Sequence, residues 1–206
     1  MKKGLLITIE GMDGSGKTTQ INMIRDYISE KGYNVILARE PGGTKISEKI
    51  RDIILDPANA TMAATTEMLL YASARAQLVA EIIKPAIENG SVVVCDRFID
   101  SSIAYQGFGR GIDINTIMDV NMAAMDGMMP NITFFIDISP EVALKRRMAS
   151  STADRIEQER MEFHMKAYEG YKRLANLYPE RIKTIDGNRT VEEISQEIRK
   201  WLDTVV

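Results

Sequence analysis

Apolar residues in this chain collect in short unbroken runs that alternate with stretches where they recur every three or four positions. Leu5-Leu6-Ile7-Thr8-Ile9 is rich in apolar and β-branched residues and bounded by Gly4 and Gly11, which predicts a buried strand. Beyond Lys17 the spacing becomes helical, with Ile21, Ile24 and Ile28 three or four residues apart. Val35-Ile36-Leu37-Ala38 predicts a second strand, followed by helical patterns near residues 44–55 and over residues 65–88. Further strands are expected at residues 91–95, 132–138 and 182–185, each followed by polar residues and renewed helical spacing. Strand–helix alternation with nearly continuous apolar strands predicts an α/β fold whose parallel sheet is covered by helices on both faces. In such sheets ligands sit beyond the C-terminal strand ends. Gly107-Phe108-Gly109-Arg110-Gly111 has the glycines of a second phosphate loop, but no strand leads directly into it, so a flexible connector is expected.

Composition narrows the picture. At 206 residues, 45% of them hydrophobic, the chain can bury one substantial core, and residues 1–206 are expected to form a single domain. A formal net charge of −3 gives no support for nucleic acid as a main partner. The lone cysteine, Cys95, lies in the apolar run Val92-Val93-Val94-Cys95, which suits core packing in a reducing compartment. The apolar run at the N-terminus meets Glu10 too early for a signal peptide, and no apolar stretch is long enough to span a bilayer. A soluble, cytoplasmic protein without a membrane partner is expected.

The most specific chemistry follows the first predicted strand. Gly11-Met12-Asp13-Gly14-Ser15-Gly16-Lys17-Thr18 spells G-x-x-x-x-G-K-[ST] between a strand and a helix. Glycines let successive backbone N–H groups face a polyphosphate, and the helix N-terminus adds partial positive charge. Residues 11–18 with Thr19 are therefore expected to bind a nucleoside triphosphate, Lys17 reaching the β- and γ-phosphates and the Thr18 hydroxyl holding Mg²⁺. Asp96-Arg97 follows another strand: Asp96 suits a carboxylate acting on Mg²⁺, and Arg97 suits phosphate oxygens, with a strand-capping ion pair as the alternative.

A second set of residues fits an acceptor pocket. Tyr71 and Arg75 are four residues apart and share one helix face, where a ring can stack on a base and a guanidinium can donate to its carbonyl. A core tyrosine with a rim arginine would give the same spacing. Arg75 stands in a mostly uncharged stretch, so if buried it needs a partner. Ser101 and Tyr105, like Ser102 and Gln106, are one helical turn apart and suit base and sugar recognition, although an ordinary capped helix would also explain the serines. Small-molecule kinase, nucleotide-hydrolysing switch and motor all remain open to a P-loop. The Asn-Lys-x-Asp string of guanine switches is absent, and the basic character of a nucleic-acid motor is missing.

The strings Glu10 to Thr19, Arg39-Glu40-Pro41-Gly42-Gly43, Tyr71-x-x-x-Arg75, Asp96-Arg97, Ser101-x-x-x-Tyr105-Gln106-Gly107, Asp154-Arg155-Ile156-Glu157 and Thr184-Ile185-Asp186 together resemble bacterial thymidylate kinases over nearly the whole chain. That resemblance implies a P-loop kinase fold on a five-stranded parallel sheet. It also implies γ-phosphoryl transfer from ATP to dTMP with Mg²⁺, and a homodimer. It places Asp13 near the deoxyribose and phosphates, Arg39, Arg51 and Arg97 around the dTMP phosphate, and Glu40 at the sugar–phosphate end. Tyr71 would stack on thymine, Arg75 would donate to the base, Ser101, Ser102 and Gln106 would add polar contacts, and Tyr105 would crowd the 2′ position. A kinase for another nucleoside monophosphate is the runner-up, and a hydrolysing switch is the alternative from another class.

Gly14 resembles the subtype that supplies a catalytic arginine from a mobile lid, here residues 143–157. Arg147 and Arg155, which flank the uncharged and flexible-looking residues 148–153, are the expected donors, with Arg146 as a third candidate. His164, the single histidine, is expected to be structural.

Overall fold

A computed structural model describes residues 3–148 and 153–206. The central lid residues 149–152 therefore lie outside the described residues. The strands are β1 (Leu5–Glu10), β2 (Val35–Arg39), β3 (Val92–Asp96), β4 (Ile132–Asp137) and β5 (Ile182–Asp186). The first helices are α1 (Lys17–Glu30), α2 (Lys45–Leu55), α3 (Ala64–Leu78), α4 (Lys84–Glu88) and α5 (Ile99–Ser102). They are followed by α6 (Ile114–Met125), α7 (Pro140–Met148), α8 (Met161–Leu177) and α9 (Val191–Leu202).

All strand pairings are parallel and the sheet order is β2-β3-β1-β4-β5. β1 is central, with Ile7 paired to Val94 on one side and Ile132 on the other. Period-two alternation sends Leu5, Ile7 and Ile9 into one apolar layer with Ile21, Ile24 and Ile28 of α1 and Ile194 and Ile198 of α9. Leu6 enters the opposite layer with Val93, Phe135, Leu78 of α3 and Tyr171 of α8. The inner strands β1, β3 and β4 are thus buried on both faces, as their unbroken apolar runs predict, while the edge strands β2 and β5 stay partly exposed.

Two π-helical segments interrupt the helices. Val79–Ile83 joins α3 to α4, so the pattern expected over residues 65–88 is one helical rod with a wide turn inside it. Ile103–Gly109 extends α5 in the same way. The flexible connector expected around Gly107 is therefore a correction: the segment is helical, and Gly107 is buried. Glycine is needed there for close approach rather than for freedom. A Cβ on Gly109 would lie 2.7 Å from the Phe163 ring of α8.

One buried ion pair locks the helix after β3 to the far half of the sheet. Asp100 on α5 accepts from Arg181 at 2.6 and 2.7 Å, and Arg181 also donates to Thr133 on β4 at 2.9 Å. Thr133 in turn bonds Thr8 on β1 at 2.7 Å. Arg181→Met is expected to strand the Asp100 carboxylate and cost about 3 kcal/mol of unfolding free energy, measured by urea denaturation. An unchanged midpoint would mean that Asp100 finds another partner.

Candidate active site

The polar residues that end the apolar strands gather at the C-terminal edge of the sheet. β1 leads into Gly11–Gly16, Gly16 takes a left-handed conformation (φ 95°) and α1 begins at Lys17. Met12 is buried beneath the loop. Lys17 is buried and its Nζ donates to the carbonyls of Gly11 (3.1 Å) and Met12 (2.9 Å), 3.6 Å from Asp13. Burial, then the Arg97 charge, lowers its pKa, while Asp13, Asp96 and Glu10 oppose the shift. Ser15 Oγ is buried without a hydrogen-bond partner among the described residues. A Cβ on Gly14 (φ +87°) would sit 2.1 Å from the Ala143 carbonyl oxygen and 3.1 Å from the Arg147 nitrogen. The loop and α7 therefore touch backbone to backbone, which leaves no room at residue 14 for any side chain.

Thr18 and Thr19 are exposed on the first turn of α1. Thr18 shares a shallow depression with Asp96 and Arg39. Asp96 Oδ1 is buried yet has no hydrogen-bond partner among the described residues. An orphaned carboxylate oxygen beside a hydroxyl fits Mg²⁺, which commonly takes one or two protein carboxylates plus water and substrate phosphate. Clusters of three or more metal-ligating side chains are not found among the described residues.

Arg97 follows β3 with φ 69°, a left-handed conformation uncommon for a residue with a side chain. Its backbone N–H donates to the Ile9 carbonyl at 3.0 Å, which ties the turn to β1. Its guanidinium, 13% exposed, donates to Asp13 (2.8 Å), Ser101 (3.1 Å) and the Tyr171 hydroxyl (3.0 Å) and lies 5.3 Å above the Tyr105 ring. Asp13 remains 38% exposed. Its partial burial favours the neutral acid, but Arg97 and Lys17 outweigh this and hold the carboxyl below the usual carboxylate range.

A cavity opens beside this arginine. Asp13, Glu40, Arg51, Tyr71 and Arg97 line it together with Ser101, Ser102, Tyr105, Gln106 and Arg147. Arg51 on α2 donates to the Pro41 carbonyl at 2.8 Å. Two expected pocket residues stand elsewhere. Arg39 is exposed and paired bidentately with Glu48 at 2.7 and 2.8 Å. Arg75 is 1% exposed and is not among the cavity-lining residues: it donates to Glu40 at 2.5–3.1 Å, to Ser102 at 3.0 Å and to Asn121. The partner that a buried Arg75 requires is thus Glu40, and the guanidinium holds the cavity wall. Gln106 is held by Glu67, which also accepts from Arg110 and, at 2.7 Å, from Arg155. Arg155 is buried, with its Nε donating to the Ile54 carbonyl at 2.6 Å. Arg147 faces the cavity and donates to Glu157 at 2.5 Å, whereas Arg146 is exposed.

Pro41, Leu55, Asp154, Ile156 and Glu157 also line the cavity. The last three belong to a string legible in the sequence, although their position opposite Tyr71 is a long-range fact. Glu10 and Tyr171, which hold Ser101 from below, carry no local signal of that role. His164 is buried edge-on to Phe163 at 5.5 Å, and burial lowers its pKa, as suits a neutral core residue.

A phosphate loop with a buried lysine, facing a carboxylate and an arginine on the next strand and opening onto a second cavity, defines a P-loop phosphotransferase. A family model described as thymidylate kinase matches residues 9–198. The thymidylate kinase of Clostridium novyi (strain NT) is 50% identical over 204 residues, covering 98% of this chain and 100% of that one. That of Thermoanaerobacter sp. (strain X514) is 50% identical over 196 residues, covering 95% and 96%. A crystal structure of thymidylate kinase from Ehrlichia chaffeensis matches with a TM-score of 0.80 at 34% identity, over 97% of this chain and 99% of that one. The chain belongs to the thymidylate kinase family.

Gly14→Ala is expected to push α7 away from the loop. Because the obstructing atoms are backbone, the loss should be about 2–3 kcal/mol in stability, seen as a drop in melting temperature. An unchanged melting temperature would show that α7 withdraws freely.

Proposed function

We propose that this protein transfers the γ-phosphoryl group of ATP to dTMP, giving dTDP and ADP. The observation that carries the proposal is the Arg97–Asp13 contact of 2.8 Å, because it sets the acceptor cavity directly against the phosphate loop. ATP phosphates take the loop of Gly11–Thr19, with the Lys17 ammonium leaving the Gly11 and Met12 carbonyls for phosphate oxygens. The dTMP phosphate takes the end of the cavity near Arg97 and Arg51, with Arg39 reaching it only by leaving Glu48. Thymine lies against Tyr71 and near Gln106 and Ser102, Arg75 acts through Glu40 and Ser102, and Tyr105 closes the sugar side. An oxygen of the dTMP phosphate attacks the γ-phosphorus, the bond to the ADP oxygen breaks, and charge spreads over the transferring group. Catalysis then consists of positioning and charge neutralisation by Lys17, Arg97 and Arg147. Thr18 and Asp96 would hold Mg²⁺, which would supply neutralisation of phosphate charge.

Arg147 is the lid arginine best placed for this, since it lines the cavity, whereas Arg155 is held by Glu67 and the Ile54 carbonyl. Residues 1–206 act as one kinase domain with the lid at 143–157. A homodimer is supported by exposed Ile46, Ile53, Leu69 and Met122 on α2, α3 and α6, which pack side by side. The buried free thiol of Cys95 suits the cytoplasm, and no helix among the described residues is long and apolar enough to cross a membrane.

ADP release measured across a panel of nucleoside monophosphates tests this reading. Strong stimulation by dTMP and little release without acceptor are expected. Equal release with every acceptor, or with none, would point to another kinase or a hydrolysing switch. Lys17→Ala should lower kcat about a hundredfold or more with the fold intact. Arg147→Ala should lower kcat at least about tenfold with KM nearly unchanged, while Arg155→Ala should mainly lower the melting temperature. The reverse pattern would move the catalytic role to Arg155.

A further inference from the structure

Glu10 ends β1, and strand alternation places it on the face that carries Leu6 and Thr8, under α8. It is fully buried, and four donors converge on it. The N–H groups of Phe98 (2.7 Å) and Ser101 (3.3 Å) reach Oε1, and the hydroxyls of Ser101 (2.6 Å) and Tyr171 (3.0 Å) reach Oε2. The same two hydroxyl oxygens accept from Arg97 Nη1 at 3.1 and 3.0 Å. A hydroxyl has one proton and two lone pairs. The two hydroxyls also lie 2.8 Å from each other, and whether Tyr171 donates to the carboxylate or to Ser101, an ionised Glu10 draws the protons its way and leaves both oxygens a lone pair for the two N–H groups of Nη1. If Glu10 carried a proton, it would itself donate, one hydroxyl would turn toward the other across their 2.8 Å contact, and Arg97 would lose the negative charge behind its two acceptors.

We infer that Glu10 is a positioning residue: its ionised carboxylate sets the direction of the Ser101 and Tyr171 hydroxyls and through them holds Arg97 for the acceptor phosphate. This rests on the proposed role of Arg97.

The charges around Glu10 come from every neighbouring element. Arg97 follows β3, Asp100 lies on α5, Lys17 on α1 and Arg181 beside β5, with Cys95, Tyr105 and Tyr171 completing the titratable surroundings. Burial, then Asp100, raises the Glu10 carboxyl to about 7, against Arg97 and the bonds from Ser101 and Phe98. Two consequences have opposite sign. Below pH about 7 the carboxylate is lost and acceptor binding should weaken. Between about 7 and the ordinary value of 4.5 the folded protein holds a proton that the unfolded chain lacks, so stability from this group rises as pH falls. Loss of activity in that window is therefore not loss of fold.

The test is the pH profile of kcat/KM for dTMP in the wild-type protein, Glu10→Gln, Tyr171→Phe, the double variant and Arg97→Ala, with melting temperatures alongside. The substrate phosphate titrates near ~6 itself, so the quantity read is the difference between profiles. Glu10→Gln should lower kcat/KM for dTMP about fivefold to tenfold at high pH, leave KM for ATP within about twofold, and lack the limb near 7. Tyr171→Phe should lose about threefold in the same parameter, and the double variant should be no worse than Glu10→Gln within about twofold. An unchanged limb in Glu10→Gln, or equal weakening toward both nucleotides, overturns the inference. If Glu10→Gln does not fold, a wild-type dTMP profile in Tyr171→Phe overturns it. If Arg97→Ala weakens dTMP while Glu10→Gln does not, the Glu10 role alone falls. If Arg97→Ala leaves KM for dTMP unchanged, the Arg97 role falls with it.

Discussion

The bond from Arg97 to Asp13 joins a loop that leaves β1 to a turn that leaves β3, and the order around it depends on satisfying that one guanidinium. Two more of its donors go to Ser101 on α5 and Tyr171 on α8, so a single cation sets the distance between the loop and two helices. The left-handed backbone at Arg97 costs on the order of 1–3 kcal/mol and persists because the surrounding bonds over-determine it. Strain at that residue aims the side chain across the loop instead of along the strand.

The wall of the cavity beside Arg97 and the scaffold behind it are built on the same rule. Glu40 with Arg75, Glu67 with Arg110 and Arg155, and Asp100 with Arg181 are buried carboxylates, each matched to guanidinium groups from distant sequence. Burying both charges roughly offsets their attraction, so such pairs contribute little net stability, whereas losing one partner costs about 3–5 kcal/mol. Their effect is to penalise misplacement. Arg75 gathers Glu40, Ser102 and Asn121 from three segments, and Glu67 connects the Gln106 that lines the cavity to the root of the lid.

The inner strands β1, β3 and β4 are readable in the sequence because each is an apolar run buried on both faces, whereas the edge strands β2 and β5 are only partly buried; the phosphate loop is readable because its glycines and lysine stand between strand and helix. The Ile103–Gly109 segment is misread because Gly107 and Gly109 look like chain breakers, whereas the missing side chains make room for Ile114 and Phe163. Part of the cavity lining follows helical spacing, in Tyr71 and in the set Ser101, Ser102, Tyr105 and Gln106. What spacing cannot supply is direction. Arg75 and Tyr71 share a face by periodicity, yet only Tyr71 lines the cavity, because Glu40, 35 positions earlier, captures the guanidinium. Arg155 looks like a free lid cation until Glu67 and the Ile54 carbonyl are in view.

The contact between Gly14 and α7 also limits the routes by which this protein can change. With the Ala143 carbonyl 2.1 Å from where a Cβ would be, no larger residue, an arginine included, can stand at position 14 while the helix keeps its seat. A substitution at residue 14 therefore also shifts the helix that carries Arg147. What residue 14 can be is thus decided by the sequence of a distant helix and not by the loop alone.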